Sequence, residues 1–301
     1  MVETKSNNYI RKKIINFLYK FFLTTSIVFL LLSVYLNISK MVSENTISNN
    51  FLAIPEGLTE MYDEAIAKID NLNDLKKFVD YEIKENNFEG IDIPIYIDEI
   101  VRKKYFFTMA FISADTNWIL IGADYFFPER YFLQAMDPED LVKKNHGMCS
   151  QQSIIFQELI KSYPFEYASI RFSSDVFGHF ASAVKVDDDW FYFDSFFEPV
   201  YNRNNPLIVK KILNADIEVI KKLYPHHVTS FGDPLYPERN LDLLTKEEIT
   251  LEDLNSFPAK QGVMFQKITQ FLSNFSWLVF LIFSFLLRSA IQKKAGNASL
   301  S

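Results

Sequence analysis

The sequence predicts an α+β fold: a helix carrying a cysteine, packed on an antiparallel sheet carrying a histidine and an aspartate, flanked at each end by a transmembrane helix. Three observations predict it. After Asp137 one amphipathic helix precedes three consecutive strand-like stretches, an order that gives an antiparallel sheet rather than alternating parallel units. Cys149, the single cysteine, stands at the start of that helix, and His179 and Asp194 stand at strand ends. Two uncharged apolar runs, 21–39 and 268–287, are bordered on their outer sides by lysine and arginine.

The apolar runs set the frame. At 1.5 Å per residue, about 20 helical residues cover the ~30 Å hydrocarbon core of a bilayer. A cleaved signal peptide is the alternative for the first run, but its basic leader is long and no small-residue cleavage site follows. A buried core helix is the alternative for the second, against which stands the unbroken apolar stretch 277–287. Residues 1–20 carry Lys5, Arg11, Lys12, Lys13 and Lys20 against Glu3, and residues 288–301 carry Arg288, Lys293 and Lys294 with no acid. By the positive-inside rule both tails are cytoplasmic, and residues 40–267 lie outside the cytoplasmic membrane, in a periplasm or its equivalent. The formal charge of the whole chain is -7, so the part between the basic tails is strongly acidic. It repels phosphate backbones, and nucleic acid is not an expected partner. The abundance of Asn, Lys, Ile and Phe suggests an AT-rich, bacterial genome.

Between the spans, residues 40–56 read as a polar tether and 57–136 as a helical region preceding the core. Apolar residues from Leu58 to Ile83 recur at helical spacing with a break at Asn71–Asn73, which predicts two helices in a hairpin. Trp118 to Gly122 fits a buried strand or a helical turn equally well. Residues 137–262 form the expected core with a C-terminal extension. Asp137-Pro138-Glu139-Asp140 supplies an N-cap, a proline for the first turn and acids for the helix dipole. That helix ends near Asn145–Gly147, where Gly147 is expected to supply a positive φ for the chain reversal. Cys149 follows, then a second helix over Ser150 to Ser162, and strands are expected at 167–172, 180–186 and 190–193. Asp187–Asp189 reads as a hairpin turn rather than a calcium loop.

Thiol chemistry needs a thiolate, a base that generates it and a group that orients the base. Cys149 at a helix start meets unpaired amides and the positive end of the helix dipole, which favour a negative sulfur. If 180–186 pairs with 190–193 through the aspartate-rich turn, His179 and Asp194 lie at the same end of adjacent strands. The imidazole and carboxylate are then side by side, open towards Cys149. The backbone amide of Cys149 is one oxyanion donor, and Asn145, His146, Gln151 and Trp118 are candidates for a second. Adjacent His226 and His227 lack the spacing of a metal site, and none is expected.

Gly147-Met148-Cys149, Gly178-His179 and Trp190-Phe-Tyr-Phe-Asp194 resemble the transglutaminase-like superfamily of papain-type cysteine enzymes, over about residues 137–200. Phe180 follows the histidine where family members often carry a small residue and then Trp. The resemblance implies a Cys149 nucleophile, His179 as general base and acid, and an orienting Asp194, with no metal or organic cofactor. It implies amide hydrolysis or acyl transfer on a peptide or amide-containing substrate of the cell envelope. Polysaccharide-biosynthesis proteins are possible partners, and the lipid bilayer is a further one. The alternative is a catalytically silent scaffold that binds a peptide or glycan in an envelope polysaccharide machine.

Overall fold

A computed structural model describes residues 2–44, 62–106, 108–127, 133–173, 178–195, 208–210, 248–252, 254–255 and 260–298. The chain forms two compact units. One contains Met1–Thr46, Ile112–Leu133 and Phe265–Ser301; the other contains Ile47–Phe111 and Gln134–Met264. The range 57–136 is thus divided between them.

The first unit is built on two long helices, α1 (Val2–Glu44) and α8 (Lys260–Ala298). Within them, Lys13–Ser39 (27 residues) and Lys260–Ile291 (32 residues) are long and apolar enough to cross a membrane. Between them in sequence lies α5 (Ala114–Phe126), so the stretch from Trp118 to Gly122 is helical and not a strand. Ser26 and Ser33 of α1 donate to the carbonyls of Trp277 (2.8 Å) and Asn274 (3.1 Å) on α8. Phe22 stacks on Phe280 and Phe283.

The second unit is a mixed helix-and-sheet structure. The break read at Asn71 is a helix start: Asn71 accepts from the amides of Asn73 (2.9 Å) and Asp74 (3.3 Å) and separates α2 (Glu64–Ala67) from α3 (Leu72–Glu85). Leu72, Leu75, Val79 and Ile83 form the buried stripe of α3. A further helix, α4 (Asp92–Lys104), has Asp92 in its first turn and Arg102, Lys103 and Lys104 in its last, the charge order that suits the helix dipole. Pro94 is tolerated because first-turn amides have no intrahelical acceptor. The fully buried Lys104 donates to the carbonyls of Ala67 (3.1 Å) and Ile69 (2.7 Å), closing the end of α2. Burial lowers its pKa to about 7, against the pull of Asp70.

Asp137 accepts from the Glu139 amide (3.3 Å) and starts the short α6 (Pro138–Leu141), as its sequence predicts. The central helix is α7 (Cys149–Ile160), and nearly all of its residues are buried. It packs on an antiparallel sheet of β1 (Glu166–Ser173), β2 (Gly178–Val186), β3 (Asp189–Phe193) and β4 (Glu248–Glu252), in the order β3-β2-β1-β4. Three of these strands are the expected ones; β4 is an addition along β1, pairing Ser169 with Glu252. Gln157 of α7 donates to Ser169 (3.1 Å) and Ser182 (3.3 Å), which sit directly opposite each other in the β1–β2 register. The β2–β3 hairpin turns at Asp187, whose φ of +54° aspartate adopts more readily than bulkier residues.

Candidate active site

The hairpin places Ser182 opposite Phe193, so Asp194 continues β3 towards the level of His179. Nε2 of His179 lies 2.8 Å from Oδ2 of Asp194, and both side chains are buried. The Cys149 thiol adjoins the imidazole and helps to raise its pKa. Since Nε2 faces the carboxylate, Nδ1 is the ring nitrogen left for sulfur. The three residues singled out from sequence therefore meet, in the order thiol, imidazole, carboxylate.

Cys149 is the first residue of α7, so its amide has by position no intrahelical acceptor. It is 7% exposed and forms no disulfide. Burial alone lowers the pKa of His179. The charge and hydrogen bond of Asp194, with the adjoining thiol, outweigh burial and raise it to about 10. At neutral pH the imidazole is thus disposed to hold a proton beside the Asp194 carboxylate.

The second-donor candidates separate. Gln151 is fully committed: its Oε1 accepts from the amides of Ala110 (2.9 Å) and Met148 (3.0 Å), and its Nε2 donates to the carbonyls of Ala110 (2.7 Å) and Ala135 (2.8 Å). It is a structural clamp, reaching back to the N-cap amide as a glutamine at the third helical position can. Trp118 belongs to the other unit and spends its indole N–H on the Ser273 carbonyl (2.9 Å). Both are corrections to the sequence reading, and both arise because a side-chain donor's partner cannot be read from chain position. Asn145 and His146 do lie just before Cys149, buried and joined to each other at 3.0 Å. Asn145 also donates to the Tyr62 hydroxyl (3.4 Å). Burial, helped by Lys144, lowers the His146 pKa to about 4, so it is neutral at physiological pH.

Gly147 does not take the positive φ expected of it; Gly90 is the described glycine that does. A Cβ at Gly147 would meet Gln151 and Gln152 at 3.5 Å, ordinary contact. The approach to Cys149 is instead held by Phe106, whose amide donates to the Asn145 carbonyl (3.0 Å) and whose carbonyl accepts from Gly147 (3.2 Å).

Behind the triad stands a polar cluster absent from the sequence reading. Tyr192 donates to Oδ2 of Asp194 (3.2 Å), and Arg102 donates to the Asp194 carbonyl. Arg102 also donates to Asp98 (2.8 Å), and Asp98 accepts from Ser195 (2.6 Å). Two signals existed: Tyr192 and Asp194 share a strand face at period two, and Asp98 and Arg102 are four apart on one helix. Their burial, which gives them weight, was not visible. Arg102→Met should lower the unfolding free energy by about 3–5 kcal/mol, because the Asp98 carboxylate stays buried without its cation. Denaturant titration of the detergent-solubilised chain, followed by near-ultraviolet circular dichroism, checks this. Adding Asp98→Asn should recover part of the loss.

Among the described residues no group of three His, Cys, Asp or Glu side chains is placed to hold a metal ion, and His226 and His227 lie outside those residues. Neither a known protein family nor a curated protein matches this chain.

Proposed function

We propose that the chain is a membrane-anchored, extracytoplasmic thiol hydrolase or acyltransferase with a transglutaminase-like, papain-related core. The observation that carries this reading is the His179–Asp194 contact of 2.8 Å with the Cys149 thiol beside the imidazole, at the start of a helix. In the proposed reaction the Cys149 sulfur bonds to the carbonyl carbon of a peptide or amide. The Cys149 amide stabilises the oxyanion. His179 gives its proton to the leaving nitrogen as the C–N bond breaks, and a thioester remains. Water or a second amine, deprotonated by His179, then attacks the thioester and releases Cys149. Asp194 holds the imidazole in position throughout.

The apolar helices α1 and α8 support anchoring in the cytoplasmic membrane, and the basic tails support cytoplasmic termini. A peptide or amide-containing component of the envelope is then the substrate class within reach, and polysaccharide-biosynthesis proteins are candidate partners. Two observations favour the second reading, a silent scaffold that binds a peptide or glycan: Cys149 is only 7% exposed, and two of the four proposed second oxyanion donors are committed elsewhere. A deletion strain discriminates the two. The Cys149→Ala chain is expected to leave the deletion phenotype uncorrected, whereas full correction sinks the enzyme and selects the scaffold.

A further inference from the structure

We infer that α5 (Ala114–Phe126) is a third membrane element, a re-entrant helix that enters the extracytoplasmic leaflet beside α1 and α8, with its described flanks Ile112 and Leu133 meeting on the same side. The inference rests on the proposed reading of α1 and α8 as membrane spans.

The segment belongs to the same compact unit as the terminal helices. Its helix α5 has 13 residues, about 20 Å at 1.5 Å per residue, too short to cross a ~30 Å core. Its two ends return together, with the Ile112 amide donating to the Leu133 carbonyl (2.7 Å). A 13-residue helix with an apolar centre, Trp118 to Ile121, whose flanks meet on one side has the form of a re-entrant segment.

Depth follows from its partners. Trp118 donates to the carbonyl of Ser273, five residues inside the apolar run 268–287, and so about 8 Å below its boundary. The Trp118 ring also packs 5.4 Å from Phe29, ten residues inside the run 21–39, or about 15 Å down. The start of α5 therefore lies among acyl chains if α1 and α8 span.

At that depth an irregular backbone survives only where protein satisfies its polar groups. The helix is broken at Asn117 (φ -153°, ψ 79°), and the break is satisfied from α8. Ser273 Oγ accepts from the Ile119 amide (3.3 Å) and donates to Asn117 Oδ1 (2.9 Å), which also accepts from the Leu120 amide (3.3 Å). Asn117 Nδ2 donates to Thr269 Oγ1 (2.8 Å). Polar residues in the first half of the 268–287 run, which weaken its apolar character, thus serve as the partners of this break.

The occupant of the outer face is lipid. Tyr125, Phe126 and Phe127 are 81%, 73% and 62% exposed, three consecutive aromatics that the described protein leaves uncovered. On α1 and α8, Leu31 and Phe283 are likewise exposed. Aromatic side chains suit the boundary between acyl chains and headgroups.

The test uses the full chain carrying Cys149→Ser and one added cysteine at Tyr125, Phe126, Leu31 or Asp188. Each is labelled with an environment-sensitive nitrobenzoxadiazole fluorophore and reconstituted in phosphatidylcholine–phosphatidylglycerol vesicles containing lipid spin-labelled on its acyl chain. Labels at 125 and 126 are expected to lose emission as the label at 31 does, with the exposed turn position 188 unchanged. Protein cover cannot cause that loss, because the quencher is the lipid. Quenching at 31 without quenching at 125 or 126 overturns the re-entrant segment and leaves the anchors standing. No quenching at 31 overturns the spanning reading and the segment with it.

Discussion

His179→Ala should slow the acylation of Cys149 by a small activated ester about 10²–10⁴-fold at neutral pH. The thiol reacts through its anion, and the group placed to take its proton is the adjoining imidazole. A small neutral ester such as p-nitrophenyl acetate is the suitable probe, since Cys149 is 7% exposed and a bulky reagent would report access instead. Release of p-nitrophenolate by the detergent-solubilised chain gives the rate, and Cys149→Ser gives the background. The alanine variant also removes one partner of the buried Asp194 carboxylate, which would itself destabilise the site. His179→Asn separates the two effects: its amide can still donate to Asp194 but cannot act as base at neutral pH. Equal loss in both variants assigns the effect to the base. A rate in His179→Asn indistinguishable from the unaltered chain would sink the assignment.

The parts of this site that were legible in the sequence are those fixed by local spacing. Cys149 at a helix start, two strands joined by an aspartate-rich turn, and the ends of those strands follow from periodicity and turn chemistry, and they bring His179 and Asp194 together beside Cys149. Illegible parts depend on long-range partners. The strand β4 pairs with β1 from more than seventy residues downstream, across a stretch without a pattern that would announce it. Asp98 and Arg102 have the spacing of an ordinary solvent-exposed ion pair, and only tertiary packing buries them behind Asp194. Gln151 looked like a free donor beside the nucleophile, because nothing local reveals that Ala110 and Ala135 converge on it. Trp118 failed for the same reason, in the other unit. Side-chain donors are claimed by whatever backbone arrives, and their position near a nucleophile says little about what arrives.

Asp194→Asn should produce a loss of comparable or larger size, on the order of 10³–10⁴-fold, with a change in pH dependence that the His179 variants cannot show. The carboxylate does two things to the imidazole. Its charge and hydrogen bond overcome burial and raise His179 to about 10. It also accepts the Nε2 proton, leaving Nδ1 to face the thiol. An asparagine amide removes the charge and can donate to Nε2, which drives the remaining proton onto Nδ1 and leaves Cys149 facing a donor instead of a base. The sign for stability follows. A histidine raised from its ordinary value near 6.5 to about 10 contributes stability that is fully present below 6.5 and lost as pH rises through about 10. Lys104, lowered to about 7, acts in the opposite sense: the unfolded chain binds the extra proton between about 7 and its ordinary 10.5, so stability rises there. The net pH dependence of the unaltered chain therefore mixes the two, and the informative quantity is its difference from Asp194→Asn. That difference should be largest at or below neutral pH and shrink as pH approaches 10, measured as denaturant midpoints at a series of pH values. A difference constant across that range would mean that Asp194 holds the strand end without charging the histidine, and the orienting role of its carboxylate charge would fall with it.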